Sequence, residues 1–228
     1  MISLRVPVLM FHHVEEAAAA DLVPPPLFPN SYLARGELAA ILDALAAHGY
    51  RTLTLAEAAA RRRGGRRLPR RSVVLTFDDG CRCFRERAVP ELAARGMTAT
   101  LFAVSGELGG SNRWDRPARA RGEAEADGSD RAAADSDGSA RPIDLAGASG
   151  ERREELLDAA ALRDLAAAGF EVGSHGRRHR DLTTCDAATL AEEVAGSREE
   201  LAAAIGATVH TFCYPYGHLD ARARAAAA

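Results

Sequence analysis

Three observations predict an α/β fold with a parallel sheet. Short apolar, β-branched runs alternate with stretches that carry apolar residues at helical spacing. The residues with chemistry on them, His12, His13, Asp78, Asp79, His175 and the stretch YPYG at 214–217, stand just after those runs, where α/β sheets gather their sites. The 228 residues, 47% apolar and 27% charged, suffice for one domain with its own core. The pattern leaves open whether the sheet stays open or closes into a barrel.

The elements follow in order. RVPVLMF at 5–11 reads as a buried parallel strand ending at His12. GELAAILDALAAHGY puts Leu38, Ile41, Leu42 and Leu45 on one helical face and stops at Gly49. TLAE at 54–57 has the form of a capping box and opens a second helix. SVVLTF at 72–77 is a strand, RERAVPELAARG at 85–96 a helix, and MTATLFAV at 97–104 a strand. From 111 to 150 the composition turns to Gly, Ser, Asp, Ala and Arg with no apolar period, so this stretch is expected to be a disordered insert. LLDAAALRDLAAAGFEVGSH reads as helix, glycine stop and strand. The segment 186–206 keeps Leu190, Val194, Leu201 and Ile205 on one face and ends at Gly206, and VHTFCYPYG at 209–217 is the last expected strand, followed by an Ala/Arg tail.

Composition narrows the function. All 29 basic residues are arginine against 32 acidic ones, and a net charge of -3 lacks the basic footprint of a nucleic-acid binder. The run RRRGGRRLPRR at 61–71 reads as a solvated loop before a strand. Cys81, Cys83, Cys185 and Cys213 contain no CxxC pair and are expected to be free thiols. No transmembrane segment and no signal peptide is visible, so the chain as written is expected to be cytoplasmic, or extracytoplasmic if a leader is missing.

Two carboxylates side by side at a strand end repel unless a cation stabilises one and leaves the other to take a proton. His175 and His179 stand four apart and can face one point if the chain turns helically after its strand. Two histidines and a carboxylate suit one divalent metal with open positions, zinc first, with cobalt, iron or nickel as alternatives. Such a metal acidifies a bound water, and a neighbouring carboxylate need only remove one proton to make a nucleophile. Each signal also has an ordinary reading: DDG is a common turn, an HxxxH pair suits a solvated helix face, and YPYG alone is a loop. Their coincidence at three strand ends points to a site.

These motifs resemble those of the polysaccharide deacetylases of carbohydrate esterase family 4, the NodB-type domain: TFDDG, then SHGRRH for H-[ST]-x-x-H, then FCYPYG. VPVLMFHHV, GGSNRWD and LLDAAALRDL are similar to segments of a subgroup that includes poly-N-acetylglucosamine N-deacetylases. The resemblance implies a distorted (β/α)7-type barrel and a metal-dependent hydrolase that removes N-acetyl groups from a GlcNAc-containing glycan. It makes Asp78 the general base, Asp79, His175 and His179 the metal ligands, the Tyr216 backbone N–H the oxyanion donor, and His12 the general acid. Strand alternation should turn His13 away. Gly176 replaces the usual Ser/Thr, losing a hydrogen bond that braces the loop, and Cys213 stands where many members carry an arginine. The family continues past its third motif, so the barrel is expected to be incomplete at the C-terminus. Two other readings follow: an inactive relative that only binds glycan or a partner, and a phosphohydrolase with an aspartate nucleophile. The latter needs its second Asp where Gly80 stands.

Overall fold

The computed structural model describes residues 6–18, 21–22, 31–114 and 153–228. Among these residues seven strands form: β1 (Val8–Phe11), β2 (His13–Glu15), β3 (Tyr32–Ala34), β4 (Arg51–Leu53), β5 (Ser72–Phe77), β6 (Thr100–Ala103) and β7 (Glu171–Ser174). The helices are α1 (Arg35–Ala47), α2 (Leu55–Arg63), α3 (Val89–Ala93), α4 (Ala159–Ala167), α5 (Ala187–Ala191), α6 (Ser197–Ile205) and α7 (Ala221–Ala227). Wide π turns, Phe84–Ala88 and Glu192–Gly196, lead into α3 and link α5 to α6.

Every strand pairing is parallel. β5 is the hub: β1 runs along Val74–Phe77, β4 along Ser72–Val74, and β6 along its last two residues, with β7 beyond β6. All six residues of β5 are buried, as expected of a strand covered on both faces. Leu75 and Phe77 belong to the main core with Leu38 and Leu42 of α1, Leu92 of α3, Leu162 of α4 and Leu201 of α6. Val74 faces a smaller cluster with Leu53 and Ala58 of α2. β2 and β3 pair separately, and this places His13 opposite Tyr32. Among the described residues the sheet is open, with no closed barrel.

Several sequence expectations change. β1 is a half-exposed edge strand rather than a buried one, with Val8 49% and Met10 60% exposed. The last expected strand shrinks to a single bridge between Phe212 and Ser174. Pro215 and the left-handed Tyr216 in the same stretch turn the chain away from a ladder. The Ala/Arg tail is a helix: Asp220 Oδ1 accepts the Ala223 N–H at 2.8 Å, and Ala223 packs on Leu182, Leu190 and Val194. Thr54 caps α2, but Glu57 turns to Arg61 instead of closing the capping box. The expected insert is ordered at its start, where Ser111 bridges Glu155 and Asn112 exchanges two hydrogen bonds with Glu154. Residues 115–150 of that stretch lie outside the described residues.

Candidate active site

The carboxyl ends of β1, β5 and β7 open into one cleft of about 350 Å³. At the end of β5 the backbone enters the left-handed region at Asp79 (φ 73) and stays there at Gly80 (φ 76). A strand continued straight would point adjacent side chains to opposite faces. This turn instead lets both carboxylates line the cleft, at 3% and 5% exposure. Aspartate is among the few side chains that accept that conformation. Gly80 lies so close to β6 that an added Cβ would sit 3.1 Å from the Ala103 Cα.

Asp79 Oδ1 lies 3.5 Å from His175 Nε2 and 3.4 Å from His179 Nε2, and the two Nε2 atoms are 3.2 Å apart. Tetrahedral ligands at zinc distances of 2.0–2.1 Å stand about 3.3–3.4 Å from one another. The triangle fits a divalent cation. The turn between the histidines is not the helix the spacing suggested; it is an irregular loop with positive φ at Gly176 and His179. The loop brings the rings together all the same. His175 Nδ1 donates to the Cys213 carbonyl at 3.0 Å, which fixes the ring and leaves Nε2 facing the triangle, as in metal-binding histidines whose other ring nitrogen donates to a carbonyl.

The electrostatics of the site agree. Burial alone would raise Asp79, but its hydrogen bond to His175 and the charges of His175, His179 and His13 hold it well below the usual carboxylate range. Burial works against a charged His175, and its bonds to Asp79 and Cys213 outweigh that and raise it well above the ordinary value. His179 is pushed down to about 3 by burial and by His175. A cation in the triangle would take the place of the proton that His175 and Asp79 share. Asp78 is raised by burial, a shift that His175 and His12 partly offset.

Both His12 and His13 line the cleft, which corrects the expectation that alternation turns His13 away. The chain leaves β1 at Phe11 and enters the separate β2 at His13, so strict alternation does not carry across the junction. His13 is fully buried, stacks on Tyr32 at 4.4 Å between ring centres, and places Nε2 3.8 Å from Asp79 Oδ2. Tyr216 sits on the rim, its ring edge-on to His179 at 4.6 Å. All four cysteines are unbridged.

Two site residues, Trp114 and Glu193, escaped the sequence reading, and Cys213 was singled out there without its contact. Trp114, at the start of the low-complexity stretch, stacks on His179 at 4.7 Å; the GGSNRWD segment was its only signal. Cys213 donates from Sγ to Asp78 Oδ2 at 3.3 Å, so the position that many family members fill with arginine still touches that aspartate. Glu193 reaches the histidine loop from the π turn between α5 and α6, for which the sequence holds no signal.

No curated protein sequence matches the chain. Solved structures share its fold over 97% of its length, among them the following three. The Streptococcus pyogenes deacetylase PplD, solved with acetate, is 16% identical with a TM-score of 0.69, and 78% of that chain is covered. IcaB from Ammonifex degensii is 21% identical at 0.65, again with 78% covered. The polysaccharide deacetylase BC0361 from Bacillus cereus is 20% identical at 0.65, and this chain spans about half of it, 54%. The family model for polysaccharide deacetylase matches residues 65–228, a span that holds both aspartates, both histidines and YPYG. On that match the chain belongs to the polysaccharide deacetylase family.

Proposed function

We propose that the chain hydrolyses N-acetyl groups on a GlcNAc-containing polysaccharide or oligosaccharide with the help of one divalent cation, zinc first. The observation that carries this reading is the triangle of Asp79 Oδ1, His175 Nε2 and His179 Nε2, 3.2–3.5 Å on each side, with Asp78 in the same cleft. A divalent cation held by these residues acidifies water and polarises an acyl oxygen. Asp78, with its pKa raised by burial, takes a proton from the attacking water. The water oxygen adds to the acetamide carbonyl carbon, and the Tyr216 backbone N–H donates to the oxyanion that forms. The C–N bond then breaks, His12 gives a proton to the leaving amine, and acetate and a free amino sugar result. Trp114 and Tyr216, on either side of His179, offer flat apolar faces to the sugar ring.

Acetate release from N-acetylglucosamine oligomers by the zinc-loaded protein tests this reading. Asp78→Asn is expected to lower the rate by about 10²–10⁴-fold with metal content unchanged. Full metal occupancy in an Asp79→Asn, His175→Ala double variant would overturn the site.

A further inference from the structure

We propose that Glu193 is the positioning residue for the two histidines, and that Gly176 is glycine because that carboxylate needs its space. The inference rests on the reading of His175 and His179 as metal ligands. The residues between them, Gly176, Arg177 and Arg178, lie outside any helix or strand, so their backbone groups need partners from elsewhere. The partners come from two sides. From the β6 end, Ser105 N–H donates to the Gly176 carbonyl at 3.1 Å and Gly106 N–H to the Arg177 carbonyl at 2.8 Å. From the other side a single oxygen, Glu193 Oε2, accepts the N–H groups of both Arg177 (2.9 Å) and Arg178 (3.0 Å). One side chain thus holds two of the three N–H groups between the histidines; the third, on Gly176, donates to Ser174 Oγ at 3.3 Å.

Glu193 is itself held. It is 2% exposed, and its neighbour Val194 is fully buried in the cluster under α7. The Val194 carbonyl accepts from Ser197 Oγ at 3.0 Å, and Ser197 Oγ bonds Ser174 Oγ at 2.6 Å, which ties the π turn back to β7. The fit to Gly176 is close. A Cβ there would lie 3.0 Å from Glu193 Oε2, on a backbone already at φ +83. Any larger residue would press on the carboxylate, which would have to give by a few tenths of an ångström, and would strain the backbone as well. α6 adds a second clamp at the loop's outer side, where Glu200 accepts from Arg177 Nε at 2.8 Å and from Ser105 Oγ at 2.6 Å. Glu193 touches neither imidazole; it fixes where the loop delivers them.

Chelator competition for zinc on the full chain tests this. Glu193→Ala is expected to bind zinc about tenfold more weakly, the cost typical of losing an outer-shell partner. Glu193→Gln, whose amide oxygen can accept the same two N–H groups, should stay near wild type. The Arg177 and Arg178 amides should exchange hydrogen faster in Glu193→Ala and at the wild-type rate in Glu193→Gln. Wild-type zinc affinity in Glu193→Ala, or an equal loss in both folded variants, overturns the proposal. Should Glu193→Ala not fold, Glu193→Asp takes its place, with the charge kept but withdrawn by one methylene, and the same loss is expected. A wild-type chain that bound no zinc would fail the metal reading instead. The two amide exchange rates would then decide alone whether Glu193 holds the loop.

Discussion

Cys213 shows how one residue can serve both halves of the site: its thiol donates to Asp78 while its carbonyl accepts from His175. Removing the thiol takes away a bond that lowers the Asp78 pKa. With Asp78 as the proposed base, Cys213→Ala is therefore expected to move the acid limb of the acetate-release profile to higher pH, since Asp78 must lose its proton before it can accept one. The two histidines after β1 divide differently. His12→Ala should lower kcat by about 10²-fold or more with zinc affinity unchanged, as expected for loss of a general acid. His13→Ala, which removes the group facing Asp79 Oδ2, should weaken zinc binding instead. Measuring kcat and zinc affinity on both variants separates the roles. At this scale the motif residues were legible because their types and order carry the chemistry. Trp114, Glu193 and the inward turn of His13 were not, because each depends on where a distant segment folds back.

Elements with local signals were read well. Gly49 and Gly206 stop their helices in the left-handed region at φ 70, and SVVLTF forms the strand β5 as expected. Asp158 caps α4 by accepting the Ala161 N–H at 2.7 Å, and Asp158→Ala should cost about 1 kcal/mol in urea unfolding. Gly173 is a stronger test of packing. A Cβ there would lie 2.6 Å from the Phe102 ring and 2.5 Å from Thr211 Oγ1, so Gly173→Ala should destabilise by about 1–3 kcal/mol or fail to fold. The 209–217 stretch was misread because its apolar residues resemble a strand while Pro215 and Tyr216 set a turn. The irregular loop from His175 to His179 was hidden for a related reason. A four-residue spacing fits a helical turn, and contacts from distant segments, Glu193 on one side and Ser105 and Gly106 on the other, hold a non-helical path instead.

For the whole molecule, alternating strands and helices made the parallel α/β class legible, and the aspartate and histidine motifs made the family legible. Strand order was not: β4 and β6 both join β5 while β2 and β3 pair apart, a choice set by how crossovers pack and not by any strand's own pattern. Acid sensitivity also belongs to this scale. Asp43 is held low by its bond to Arg95, Glu91 by Arg35 and Arg95, Asp181 by Thr183 and His218, and Asp186 and Asp220 by the helix N–H groups they cap. Carboxylates depressed on folding stabilise above their unfolded values and lose that contribution as pH falls through the folded ones. The contribution of these carboxylates to the urea midpoint should therefore fall away once the pH passes below about 4. A midpoint unchanged from neutrality to strong acid would contradict it.

The left-handed backbone at Asp79 also decides which replacements there can be interpreted. Asparagine tolerates that conformation nearly as well as aspartate, so Asp79→Asn removes a charge and leaves the chain path alone. Alanine or glutamate would alter the ligand and strain the turn together, and a dead enzyme from either would say little about coordination. On the proposed role of Asp79 as a metal ligand, the same constraint narrows the route by which this site can drift: a single base change from Asp to Asn would silence the centre while leaving the fold that surrounds it.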